Sequence, residues 1–240
     1  MNGTEELLTD QPERDVLRLR LNRPDQLNAL NMPLVNALLE AFDNVDARAV
    51  VLGSSTTRAF CSGADVNLED AERAMMSDLL YELYEKMVNL PVPIIVALDG
   101  YAVGGGAQLV VAGDLRVAGP EAKIRVAGPA HGLAVAAWGL PSLVGRGRAL
   151  DLCLTTRTVG AEEALVIGLV DRVEQDPVEA AVELASAFAR LDLAAVGRVK
   201  RVVTGASGYL DALREERVGN RESWSGSVAA LSSQDERRGK

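Results

Sequence analysis

Apolar and polar positions along the chain change period several times, and each change marks an element. Val16-Leu17-Arg18-Leu19-Arg20-Leu21 alternates apolar and basic residues, as a half-buried strand does. Asn31-Met32-Pro33 predicts a helix start, with Asn31 or Met32 near the cap and Pro33 in the first turn. Leu34, Leu38, Leu39 and Phe42 supply the apolar face of that helix. The run 49–52 predicts a short buried strand. A long helix is expected over 69–90, ended by Pro91 and Pro93. Ile94-Ile95-Val96-Ala97-Leu98 reads as a strand leading into Gly100-Tyr101-Ala102-Val103-Gly104-Gly105-Gly106, a glycine turn that opens a helix to about Ala112. Leu115-Arg116-Val117-Ala118 is a further strand, stopped by Gly119-Pro120.

Beyond this point the pattern becomes helical, with helices predicted over 146–155, 161–167, 178–191 and 194–203 and a strand-like interruption over 168–173. The segment 232–240 is polar and expected to fray. No fixed repeat period is present. Strands alternating with helices give an α/β core followed by a helical C-terminal part. The division predicted is a core over 1–190 and a helical region over 191–240.

Composition narrows the function classes. Apolar residues make up 48% of the 240 residues, enough for a substantial core. The net charge of −9 argues against a nucleic-acid surface, which needs a basic face. Two cysteines, Cys61 and Cys153, form no disulfide framework and suit a reducing compartment. The first 15 residues are polar and acidic, unlike a signal peptide, and no apolar run approaches a membrane span. A cytoplasmic location is the expectation.

Two segments carry candidate chemistry. In Ala59-Phe60-Cys61-Ser62-Gly63-Ala64-Asp65, Gly63 permits a tight turn that would direct the Ala64 N–H outward, with Asp65 capping the turn or the next helix. In Gly104-Gly105-Gly106 the missing Cβ atoms allow close backbone approach, and a helix start presents free N–H groups. Two such loops, each offering an N–H, are what an oxyanion hole requires. Either loop alone reads first as an ordinary strand-to-helix turn. The glycines lack the G-x-G-x-x-G spacing of a dinucleotide site, and Gly145-Arg146-Gly147-Arg148 lacks the lysine-serine pair of a phosphate loop.

Taken in order, three motifs resemble the crotonase, or enoyl-CoA hydratase/isomerase, superfamily. They are Leu21-Asn22-Arg23-Pro24 with Leu27-Asn28-Ala29-Leu30, then Phe60-x-Ser62-Gly63-Ala64-Asp65, then Gly100-Tyr101-Ala102-x-Gly104-Gly105-Gly106. The resemblance runs from about Val16 to Val173 and includes Ala161-Glu162-Glu163-Ala164 and Gly168-Leu169-Val170. It implies a spiral of ββα turns with C-terminal helices that mediate trimer contacts, in a homotrimer or hexamer. It implies acyl-CoA thioester substrates, with coenzyme A as part of the substrate and no separate cofactor or metal. The thioester oxygen would sit between the amides of Ala64 and Gly105. Gln26 and Leu27, with Ser62, Asp65 and Gly104, would lie along the CoA portion.

The resemblance also locates a departure. Hydratases of the superfamily use two glutamates, because hydration needs a proton taken and a proton given. The first falls at Gln108, whose amide accepts no proton near neutral pH. Anchoring on Pro129 and Gly132-Leu133 puts the second at Ala130, while counting forward from Ala122 puts it at Gly128. Neither alignment restores a carboxylate. Gly132-Leu133-Ala134-Val135-Ala136-Ala137-Trp138 resembles a subgroup that often lacks both glutamates, some members of which bind acyl-CoA without turning it over.

The expectation is therefore an acyl-CoA-binding member with weak or absent hydratase activity. The alternatives are another acyl-CoA reaction (isomerisation, decarboxylation or thioester cleavage) using His131 or Asp65, or a non-catalytic acyl-CoA carrier in lipid metabolism. Cys61 is expected to be a buried inert thiol, Asp114 to pair structurally, and Tyr81, Tyr84 and Trp138 to pack in the core or along the acyl pocket. Asn67 stands where many relatives place a lysine toward the CoA phosphate. Arg146 and Arg148 would serve a helix start or that phosphate.

Overall fold

A computed structural model describes residues 6–65 and 70–224. Asn67, Glu69 and the segment 232–240 singled out above lie outside the described residues. The elements follow in the order β1 (Leu7–Glu13), β2 (Val16–Leu21), α1 (Met32–Asp43), β3 (Ala49–Ser54), β4 (Ala59–Cys61), α2 (Asp70–Asn89), β5 (Ile94–Leu98), β6 (Tyr101–Val103), α3 (Gly105–Ala112), β7 (Leu115–Ala118) and β8 (Lys123–Arg125). After them come α4 (Leu140–Val144), α5 (Arg146–Thr155), β9 (Thr158–Gly160), α6 (Ala161–Ile167), β10 (Arg172–Val173), α7 (Pro177–Ala189), α8 (Leu193–Ala206) and α9 (Tyr209–Trp224).

Strands β3, β5 and β7 lie parallel in one sheet, ordered β1-β2-β3-β5-β7-β10, with β1 antiparallel at its edge. Strands β4, β6 and β8 lie parallel in a second sheet, closed on one side by antiparallel β9. The chain thus runs β3–β4–α2, then β5–β6–α3, then β7–β8, giving one strand to each sheet on every turn. This is the ββα spiral the resemblance implies.

The apolar runs of β3 and β5 are continuous because both faces of the large sheet are covered. Val50, Leu52, Ile94, Val96 and Leu98 face the main core, where Leu34, Leu38, Phe42, Leu83 and Met87 of α1 and α2 meet them. Val51, Ile95 and Val117 face the other way, onto Ala181, Val182 and Ala185 of α7. The small residues of α7 let it lie close to the sheet. The start of α1 follows its sequence signal, since the Asn31 side chain accepts from Leu34 N at 3.0 Å.

Three expectations need correction. The glycine turn does not follow β5 directly, because Tyr101–Val103 forms β6 in the second sheet. The chain beyond β7 is not simply helical, since β8 and β9 complete that sheet with only three residues each. The strand-like run 168–173 contributes only Arg172 and Val173 as a strand, after Gly168 (φ 81°) caps α6. Strands this short carry too few residues to show alternation. Helix α9 lies within the helical region expected over 191–240, although no individual helix is predicted beyond 203. Among the described residues, no helix is long and apolar enough to cross a membrane.

Candidate functional site

The first loop is built by strand-like pairing between two non-adjacent segments. Leu30 N donates to Gly63 O at 2.7 Å and Asp65 N donates to Leu30 O at 2.9 Å. In this parallel bridge, Leu30 bonds to the neighbours of Ala64, so the Ala64 N–H points away from Leu30. Ser62 N reaches Leu27 O at 3.0 Å, and Ser62 Oγ reaches Gln26 O at 3.4 Å. Gly63 sits at φ +104°, a conformation that disfavours any side chain, and its turn exposes the amide that follows.

Asn28 fastens this arrangement. It is fully buried, its Oδ1 accepts from Arg23 N at 2.7 Å, and its Nδ2 donates to Ser54 Oγ, Ala59 O and Phe60 O. Arg23 continues outward to pair with Glu6 at 3.3 Å and with Asp65 at 3.6 Å.

The second loop is the entry to α3. Gly104 N donates to Arg125 O at 3.0 Å, and Tyr84 Oη donates to Gly105 O at 3.2 Å. A methyl group at Gly106 would stand 2.2 Å from Cys61 O, so only glycine lets α3 pack this closely on β4. The two loops meet as a result. A Cβ on Gly105 would lie 3.5 Å from Ala64 N, and a Cβ on Gly63 would lie 3.6 Å from Gly105 N. Among the described residues, neither Ala64 N–H nor Gly105 N–H donates to a backbone or side-chain acceptor. Both residues line one cavity of about 360 Å³.

Gln108 lines the same cavity and is 5% exposed. Its Oε1 accepts from the Trp138 indole Nε1 at 2.9 Å and from Ala136 N at 3.2 Å. Trp138 is itself fixed by Tyr84 stacked at 6.4 Å and by Tyr209 edge-on at 4.9 Å. Its role therefore exceeds packing.

Helix α9 folds back on α2 and closes another wall. Tyr81 Oη donates to Glu216 Oε1 at 2.8 Å and accepts from Asn220 Nδ2 at 2.7 Å. Glu216 Oε2 accepts from Trp138 N at 3.0 Å, and Asn220 holds Ala134 by both its N–H and its carbonyl. Burial pushes the Glu216 carboxyl up to about 7, against the opposing bonds from Tyr81 and the amides of Trp138, Ala137 and Ala136. Cys61 is fully buried and desolvation pushes its thiol up to about 12, so it behaves as the inert residue expected.

Residues 11–229 match the family model for enoyl-CoA hydratase/isomerase. The chain belongs to the enoyl-CoA hydratase/isomerase family. It is 39% identical over 194 residues to the probable enoyl-CoA hydratase echA6 of Mycobacterium tuberculosis, covering 78% of each chain. It is 37% identical over 193 residues to the probable enoyl-CoA hydratase echA12 of Mycobacterium leprae, covering 72% of this chain and 65% of that one. An enoyl-CoA hydratase/isomerase from Mycobacterium paratuberculosis superposes with a TM-score of 0.85 at 25% identity, over 97% of this chain and 100% of that one. Pseudomonas aeruginosa DspI superposes with a TM-score of 0.80 at 28% identity, over 86% and 89% of the two chains.

In this family member the cavity gathers Ser62, Ala64, Asp65, Gly104, Gly105, Gln108 and His131. Ala130 stands beside His131 in the short 3₁₀ turn Pro129–His131. Gln26 and Leu27 do not line the cavity but adjoin it through Ser62, with Gln26 exposed and Leu27 at φ 51°. Asp65 is the sole carboxylate among the described residues that line it. Asp114 is a structural partner, as expected, accepting from Ile94 N and Lys200 Nζ at 2.7 Å each.

Sequence reasoning missed Glu216 and Asn220. Their signal was the spacing of Leu213, Glu216 and Asn220 along one helical face, all three buried. Two polar residues at core positions hid that stripe.

Proposed function

We propose that this family member binds an acyl-CoA thioester with its carbonyl oxygen between the amides of Ala64 and Gly105, and that it hydrates enoyl-CoA weakly or not at all. The observation that carries the reading is the pair of amides that find no acceptor among the described residues, side by side on a cavity where the residue three past Gly105 is Gln108, an amide rather than an acid. Fixed N–H dipoles stabilise the negative charge that grows on a thioester oxygen when the α-carbon loses a proton. Each missing acid–base group costs about 10²–10⁴-fold in rate. The CoA arm would leave past the exposed 3₁₀ turn Pro24–Gln26, and coenzyme A would enter as part of the substrate, with no other cofactor.

The test combines native mass spectrometry with a panel of CoA esters and a hydration assay on crotonyl-CoA. Retention of intact thioesters with no water added supports the reading. Rapid, stereospecific hydration by the pure protein refutes it.

A second reading, turnover by another acyl-CoA reaction, is favoured by Asp65 and His131 on the cavity wall. Loss of any activity found in such a screen on Asp65→Asn or His131→Ala would support it. Self-association fits the same proposal, since α8 exposes Val199, Val202 and Val203 at helical spacing. A monomer at micromolar concentration by light scattering would speak against that assembly.

A further inference from the structure

We infer that a second site, separate from the cavity described above, binds a soluble phosphate ester or pyrophosphate through Arg48, Arg198 and Arg201 at the start of α8. The inference goes beyond the thioester reading and does not depend on it.

The three arginines line one cleft of about 630 Å³ together with Pro91, Leu193 and Gly197. Arg48 immediately precedes β3 and Pro91 precedes β5, so the cleft lies at the N-terminal ends of these parallel strands. The thioester cavity is built from the loops that follow β4 and β6, and the two share no lining residue. Gly197 keeps the cleft open. A Cβ there would stand 3.3 Å from Pro91 O and 3.8 Å from Arg201 Nη1. Lys200 donates to Met87 O and Val92 O, which fixes α8 against the turn that carries Pro91. Ala194, Gly197, Arg198 and Arg201 recur at helical spacing on one face of α8, about 140° around the helix from the centre of Val199, Val202 and Val203.

The positive charge gathered here is uncompensated. In a chain of net charge −9, none of the three arginines pairs with a carboxylate among the described residues. Arg48 is half-buried. Its Nη2 donates to the neutral Leu191 carbonyl, and its Nε is shut from solvent with no acceptor among the described residues. Asp192 is the one carboxylate on the lining among the described residues, and it is turned to its own helix, where Oδ1 accepts from Ala195 N at 2.7 Å. The N–H groups of Leu193 and Ala194, the first two of α8, have no acceptor among the described residues. A half-buried guanidinium without a counter-charge is costly, and a bound anion relieves that cost.

The donor set says which anion. Three guanidinium forks stand beside two free amides at the positive end of a 14-residue helix. A carboxylate offers them two oxygens and a single charge. A phosphoryl group offers more oxygens and more charge, and matches the guanidinium fork in the same bidentate way. The cleft is larger than a phosphate, which leaves room for an organic body against Pro91 and Leu193.

Calorimetric titration of the full chain with pyrophosphate, glucose 6-phosphate and acetate at constant ionic strength tests this. Both phosphates should bind about tenfold or more tighter than acetate. The double variant Arg198→Ala with Arg201→Ala, both at exposed positions, should lose about tenfold or more of that affinity with an unchanged melting temperature. Arg48→Lys, which keeps the charge and loses the fork, should weaken both phosphates by a smaller factor. Pyrophosphate affinity should be the same with butanoyl-CoA present. Equal affinity for acetate and the phosphates overturns the inference, as does phosphate affinity that survives in the double variant. Displacement of pyrophosphate by butanoyl-CoA would place the phosphate on the CoA path and overturn it. Binding to phosphatidic acid vesicles without binding to the free phosphates would assign the patch to a membrane surface and overturn it as well.

Discussion

Replacing Glu216 with glutamine while varying pH probes the wall that α9 builds. Burial raises the Glu216 carboxyl from 4.5 to about 7. A raised acid binds its proton more tightly in the folded state than in the unfolded one. Its contribution is therefore most favourable below 4.5, declines as pH rises, and is lost once pH passes the folded value near 7. Each pKa unit is worth 1.36 kcal/mol, so the loss across this window is about 3 kcal/mol.

The groups that sense this charge from neighbouring elements are Tyr81, Tyr84 and Cys153. All are pushed upward and stay neutral throughout the window. Glu216→Gln keeps its oxygen for the Trp138 N–H and turns an NH2 onto Tyr81 Oη in place of the acceptor that hydroxyl donates to, a pH-independent cost of about 1–3 kcal/mol. The mutant should therefore be less stable than wild type near pH 5, and the deficit should shrink or reverse by pH 8. At about 2–4 °C per kcal/mol for a chain of this size, the difference in Tm should move by about 6–12 °C. The assay is a fluorescence melt of both proteins from pH 5 to 8 at constant ionic strength. Parallel profiles for wild type and variant would refute the reasoning.

Gly105→Ala would place its methyl 3.2 Å from Leu30 Cδ1, 3.3 Å from Tyr84 Oη and 3.5 Å from Ala64 N, crowding the gap between the two amides without meeting backbone head-on. Its melting temperature should stay within a few degrees of wild type while thioester affinity drops about tenfold or more, measured by calorimetry; unchanged affinity would place the carbonyl elsewhere. Lys200 donates to Met87 O, Val92 O and Asp114 Oδ2, so Lys200→Ala leaves two carbonyls without their donor and the half-buried Asp114 carboxylate without its cation, held only by Ile94 N–H. Urea denaturation should register a loss of about 3–5 kcal/mol, much of it recovered when Asp114→Asn is added. With its thiol buried and pushed up to about 12, Cys61 should resist maleimide in the native protein and label only after denaturation, read by intact mass.

Much of this architecture is legible in local patterns. The buried runs of β3 and β5, the Asn31 cap of α1 and the glycine entry to α3 depend on residues within a turn or two of each other. The same holds for the identity of Gln108 at its site. What local patterns miss are features whose partners lie far away in sequence. β6, β8 and β9 are three residues each and exist because they pair with one another. Leu213, Glu216 and Asn220 read as a mixed polar face until α2 and the 134–138 segment are packed against them.

The sequence by itself determined that two glycine-bearing loops exist and that an amide stands where an acid would serve hydration. Only the tertiary structure decided that the Ala64 and Gly105 amides meet, and which way the Gln108 amide faces. The reason is range. Backbone preference at a glycine acts within its own turn, whereas the orientation of Gln108 is imposed by a tryptophan 30 residues away, and that tryptophan's amide is held by a carboxylate 78 residues further on.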